Sequence, residues 1–285
     1  MRGTDIGPDV EHSTRSGVSV DARPDGFRNS GPAVEMAWGE RMSGQGSVLR
    51  RLRLLTGLVM FAYIAVHLAN HALGIISLSL AESGLRQEMA FWRTTVATLL
   101  LYGTAALHFS LALWTLYSRR EWRLPAVEIL RLASGFSFPL LLIGHAVTTR
   151  LGDALFGITP SYGIIIENLL RAGRQGMQLA LLAPGWVHGC LGLWITLRRF
   201  HAMQKIKYWL IALVVLVPVL AAAGFFRMAA EVTAMKLQPP AGPHADIAQA
   251  TLAAWKDNLT LAYLGAVLAA FLLGRLHARL WRRLA

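Results

Sequence analysis

Long apolar stretches, separated by short basic or polar segments, run along most of this chain. Six of them approach or exceed the roughly 20 residues that a helix needs to cross hydrocarbon, which predicts six transmembrane helices. They fall at about Leu52–Leu80, Thr94–Tyr117, Ala126–Thr149, Met177–Leu197, Tyr208–Ala230 and Leu261–Leu280. The expected fold is all-α: a polytopic membrane protein whose first four spans form a bundle. Residues 1–47 are rich in Gly, Ser, Pro and Asp and lack an early apolar run. They read as a disordered cytoplasmic tail rather than a signal peptide, ahead of a six-helix membrane domain at 48–285. Between spans, Tyr162–Leu170 reads as a short interfacial helix. Pro239, Pro240 and Pro243 predict a break, with helix resuming near Ala245.

Composition agrees with a membrane chain, with 54% hydrophobic residues and only 15% charged. The formal charge of +12 invites a nucleic-acid reading, but the placement of the basic residues rejects it. They cluster at alternate span ends: Arg50, Arg51 and Arg53; Arg119, Arg120 and Arg123; Arg198, Arg199, Lys205 and Lys207; and Arg275 through Arg283. The intervening loops are nearly balanced, as Glu82 and Glu88 are against Arg86 and Arg93. By the positive-inside rule both termini are cytoplasmic. One cysteine, Cys190, excludes an internal disulfide or a cysteine-held cluster within these residues.

The chemistry lies in histidines well inside the apolar spans: His67 and His71, then His108, His145 and His188. Intramembrane imidazoles are costly, so they face a bundle interior and usually have a task. At 1.5 Å per residue, His108 lies about 17 Å and His188 about 15 Å from the nearest basic edge. His71 lies about 27 Å from Arg53, and His145 about 21 to 33 Å in, according to whether Arg131 or Arg123 marks the edge. Two tiers result: an inner one on the second and fourth spans, an outer one on the first and third. In an up-and-down bundle these are diagonal helices, which build sites from inward side chains. Two haems, each held by a diagonal histidine pair, are the leading expectation, with His71, His108, His145 and His188 as axial ligands to iron. His67 shares a face with His71 one turn away. It stays open as a replacement ligand, a propionate partner or a quinone contact, with His71 preferred on depth. The rival reading is a haem-free anchor or receptor whose histidines only bond helix to helix. His67-x-x-x-His71 lacks the glutamate of a zinc protease motif.

Three segments carry a family resemblance: His67-Leu-Ala-Asn-His-Ala-Leu-Gly74, Leu101-Tyr-Gly through His108-Phe to Trp114, and Pro184-Gly-Trp-Val-His-Gly-Cys-Leu-Gly192. Together they resemble the cytochrome-b-like six-helix membrane region of some bacterial adenylate cyclases. That region is itself similar to the dihaem cytochrome b subunits of fumarate reductase and succinate dehydrogenase. The resemblance runs from about Leu49 to the C-terminus. It implies two haems b, a quinone as redox partner, a bacterial inner membrane, and His71, His108, His145 and His188 as ligands with His67 the extra histidine. It also implies a redox-responsive anchor and sensor for a cytoplasmic cyclase or iron–sulfur domain, covalent or separate, and a homodimer where a cyclase follows. Cyclase chemistry itself is not expected within these residues. The alternative function is a cytochrome b subunit passing electrons between quinone and a dehydrogenase-like partner.

Overall fold

The computed structural model describes residues 32–235 and 245–284, with side chains for 48–235 and 247–280. Two compact units are distinguished, Met1–Gly46 and Ser47–Ala285, and the membrane-spanning segments all belong to the second. Every regular element among the described residues is helical. In chain order these are α1 (Pro32–Leu73), α2 (Leu78–Trp92), α3 (Thr95–Ser118), α4 (Ala126–Ala146), a π turn (Val147–Leu151) and α5 (Gly152–Phe156). Then follow α6 (Tyr162–Arg171), α7 (Gln175–Leu197), α8 (His201–Lys205), α9 (Lys207–Met235) and α10 (Ala245–Leu284).

Six segments are long and apolar enough to cross a membrane: Val48–Leu73, Thr95–Ser118, Ala126–Phe156, Gln175–Leu197, Lys207–Met235 and Ile247–Leu280. The chain is therefore a multi-pass, all-α membrane protein, as the hydrophobic pattern predicts. The tail expected over residues 1–47 lies, as far as residue 31, outside the described residues, and so do Pro239, Pro240 and Pro243.

Three boundaries differ from those the hydrophobic pattern predicts. The first span ends at Leu73, not near Leu80, because the chain turns there. Gly74 N–H donates to the His71 carbonyl at 3.1 Å, and Ile76 N–H to that of Leu73 at 3.0 Å. Ser77 is then extended, and its hydroxyl accepts from Leu80 N–H at 3.2 Å, capping a separate helix, α2. The third span continues past Thr149 through the π turn and closes at Gly157, whose φ of 64° is left-handed. The sixth helix begins at Ala245, where the break was expected to end, so its span starts well before Leu261. The interfacial helix foreseen at Tyr162–Leu170 is α6.

Packing follows small residues and aromatics rather than polar pairs, as lipid-embedded helices require. Gly224 of α9 lies against the His71 carbonyl, and Gly274 of α10 against that of Tyr117, so both helices pack backbone to backbone on their neighbours. Phe61 of α1 stacks on Trp186 of α7 with centroids 4.9 Å apart, and buried Leu68 and Ala221 join them to α9. Pro218 has no N–H to offer the carbonyl four residues earlier. That carbonyl, Val214, instead accepts from the Trp186 indole at 2.9 Å. A second cluster, with Ala81, Ile166, Met228 and Val232 almost fully buried, binds α2 and α6 to α9 at one end of the bundle. Outward residues such as Leu99, Trp209 and Leu261 stay exposed, which suits contact with lipid.

Candidate functional site

The five intramembrane histidines come together on the diagonals that the depth argument names. One pair sits toward the end of the bundle that holds Arg53, Arg119 and Arg131. There His108 of α3 and His188 of α7 face each other with ring centroids 6.2 Å apart and planes 87° apart. The intervening corners are closed by contacts between neighbours: Thr56 to His108 for α1 and α3, Arg119 to Glu128 for α3 and α4, and His188 to Arg131 for α7 and α4.

Hydrogen bonding at this basic-end pair fixes both tautomers. His188 Nδ1 lies 2.9 Å from the Arg131 carbonyl, which only accepts, so Nδ1 carries the proton. His108 Nδ1 lies 3.0 Å from Thr56 Oγ1. The Thr56 hydroxyl hydrogen is already directed to the carbonyls of Leu52, at 2.7 Å, and Arg53, at 3.2 Å. Thr56 therefore accepts, and His108 Nδ1 is protonated as well. Each ring is left with a bare lone pair on Nε2, the form an imidazole needs to ligate a metal. Glycine makes space for the His188 ring, whereas at His108 a methyl would meet only ordinary contact. A Cβ at Gly135 would stand 2.6 Å from His188 Cε1, and one at Gly57 would stand 3.4 Å from His108 Cε1.

At the far end the ring that meets His145 of α4 is His67 of α1, with centroids 6.0 Å apart and planes 65° apart. His71, expected opposite His145 on depth, instead lies 5.0 Å from the Tyr162 ring and 4.9 Å from His67. Its side chain is buried, and its Nδ1 has no hydrogen-bond partner. His67 Nδ1 lies 3.2 Å from the Glu88 carboxylate, and Tyr63 stacks on the ring with centroids 5.9 Å apart. Glu88 Oε1 is buried without a partner. His145 Nδ1 lies 3.2 Å from the Gln178 amide nitrogen, which can only donate to it. Ligation through His145 Nε2 requires that amide to present its oxygen to Nδ1–H. The π turn begins two residues beyond His145, the kind of helix irregularity that often marks a functional site.

Asn70 cements this end. Its amide nitrogen faces the Ala81 carbonyl at 3.3 Å, and its oxygen accepts from Tyr162 O–H at 3.1 Å and Leu85 N–H at 3.0 Å. Burial, and then the Glu88 carboxylate, raises the Tyr162 phenol above its ordinary range, so it remains a donor. Two span-end arginines are already engaged: Arg93 with Asp153 at 2.5 Å, and Arg150 with Thr98 at 3.2 Å. Arg53 differs, because its Nε is buried without a partner.

Sequence reasoning located the five histidines but missed the groups that orient them. Thr56 is lost in an apolar run, Gln178 opens one, and Glu88 reads as an ordinary loop charge. Among the described residues no group of three or more His, Cys, Asp or Glu gathers around one point. No family model, curated protein or solved structure matches this chain.

Proposed function

We propose that this chain is a dihaem b-type membrane domain that moves electrons across the bilayer and exchanges them with a quinone. The observation that carries the reading is the pair of diagonal histidine couples with oriented Nδ1 atoms. A metal bonds imidazole nitrogen at about 2.0–2.1 Å, so two rings that share one ion have centroids about 6 Å apart. Separations of 6.2 and 6.0 Å suit that arrangement.

His108 and His188 would hold one haem, and His67 and His145 the other. The choice of His67 over His71 rests on which ring faces His145 and on the Glu88 carboxylate behind its Nδ1. A haem held by these residues would supply one-electron transfer. The unpaired guanidinium nitrogen of Arg53 is placed to meet a carboxylate, which suits a porphyrin propionate at the basic end. At the far end Glu88, joined to His67, offers a proton acceptor, which oxidation of a quinol needs.

The resemblance extends this reading to a redox-responsive anchor and sensor for a cytoplasmic adenylate cyclase-type effector in a bacterial inner membrane, with the basic loops and both termini inside. The test is a redox titration of the purified full-length chain, followed by visible absorption. Two one-electron components with b-type bands are expected. A protein without visible absorption after expression with ample haem would leave only the haem-free anchor.

A further inference from the structure

A groove of about 490 Å³ opens on the side of the bundle between α3, α4 and α10, and no histidine lines it. Its walls are Leu116, Phe136, Leu264, Leu268 and Phe271, with Trp122 of the α3–α4 loop at its end. Leu264 and Leu268 are about half exposed on the outer face, so the groove opens toward the hydrocarbon. Almost all of its lining is apolar, and the exception is informative. Trp122 packs edge-on against Phe271 at 5.1 Å, yet its indole Nε1 is buried with no hydrogen-bond acceptor. A desolvated donor without a partner costs on the order of 1–3 kcal/mol, so a ligand that brings an oxygen there has something to gain.

The surroundings say what kind of oxygen. Arg120 and Arg123 flank Trp122 in the loop and are exposed, and Glu121 is the acid between them. The nearby Glu128 is already held by Arg119 at 2.7 Å and Arg131 at 2.8 Å. On α10, Arg275 and Arg279 follow Phe271 by one and two turns on the same face, about 6 and 12 Å further along. An apolar slot with an unpaired, enclosed indole N–H at its end and several arginines beyond has the layout of a lipid with a negatively charged head.

We propose that this groove holds an acyl chain of an anionic phospholipid, with Trp122 N–H donating to an ester or phosphate oxygen and Arg120 and Arg123 drawing the headgroup. The site is independent of the histidine pairs and does not rest on their holding haem.

The test uses the full-length chain in detergent, stripped of lipid and titrated with phosphatidylglycerol or with phosphatidylcholine of the same acyl chains. Bound lipid is counted by native mass spectrometry. One phosphatidylglycerol should be retained about tenfold or more tightly than phosphatidylcholine. Arg120→Gln with Arg123→Gln should bring the two lipids together. Leu268→Trp, which fills the slot, should release both, with helicity by circular dichroism unchanged. Trp122→Phe keeps the ring and removes the donor, and should loosen phosphatidylglycerol about fivefold. It decides the matter if the larger substitution fails to fold. Equal retention of both lipids by the native chain would overturn the proposal, and so would retention unaffected by Trp122→Phe and the paired arginine changes.

Discussion

The two histidine pairs are built to the same spacing but supported in different ways. At the basic end, both Nδ1 protons go to the main chain or to a hydroxyl that the main chain has already oriented. No ionisable side chain orients either ring, so the pair is a fixed cradle that pH alters little. At the far end the supports are a carboxylate and an amide, Glu88 and Gln178, and a third histidine lies buried alongside with an unpaired nitrogen. That end therefore has ionisable and amide side chains as supports where the basic end has the main chain. On the reading proposed above, one bundle would present two electron sites that differ in the partners of their rings rather than in ring spacing.

Replacing the rings themselves should have the largest effect. His188→Ala and His67→Ala should each remove one haem and leave the other, seen as half the pyridine haemochrome signal per chain. His71→Ala should keep both. If His71→Ala instead empties the far site, the facing geometry of His67 is not what sets ligation.

The next contrast is between two glycines. Gly135→Ala drives a methyl to 2.6 Å from His188 and should cost about 1–3 kcal/mol with loss of the basic-end haem. Gly57→Ala meets His108 at 3.4 Å, ordinary contact, and should leave haem content within error. Equal behaviour of the two variants would show that the rings are not confined as described.

Smaller effects should fall on the far pair alone. Gln178→Leu removes the partner of His145 Nδ1 and should weaken haem retention there about 10- to 100-fold, measured by transfer to apomyoglobin. Glu88→Gln removes a negative charge that favours the ferric state. The far-end midpoint should rise by roughly 30–60 mV, while the basic-end midpoint stays put in the same titration. A shift shared by both components would erase the distinction between the two ends.

The six spans were legible in the sequence because continuous apolar length is a strong signal that neighbours do not modify. The diagonal pairing was legible too, because up-and-down connectivity leaves little choice. Helix α2 was not, since Leu-Gly-Ile-Ile-Ser-Leu-Ser-Leu reads as more of the same apolar run, and only Gly74 and Ser77 hint at a turn and a cap. The sequence left His67 and His71 both open, with His71 preferred on depth, for a different reason. Depth counted along a helix depends on where counting starts, and His145 has two candidate starting points. Counted from Arg131 rather than Arg123, His145 comes level with His67, the ring that faces it. From Arg131 to His145, and equally from Arg53 to His67, the distance is about 21 Å. The level pair is therefore His67 and His145. The supporting groups were invisible because nothing in one sequence brings Thr56 to His108, or Glu88 to His67, before the helices are packed.

The central claim is that two diagonal imidazole pairs each hold one iron porphyrin. Haem counted per polypeptide in the purified full-length chain, beside the His67→Ala, His188→Ala double variant, tests it most directly. The account predicts two haems in the native protein and none in the variant. No haem in the native chain, or two retained in the variant, would contradict it.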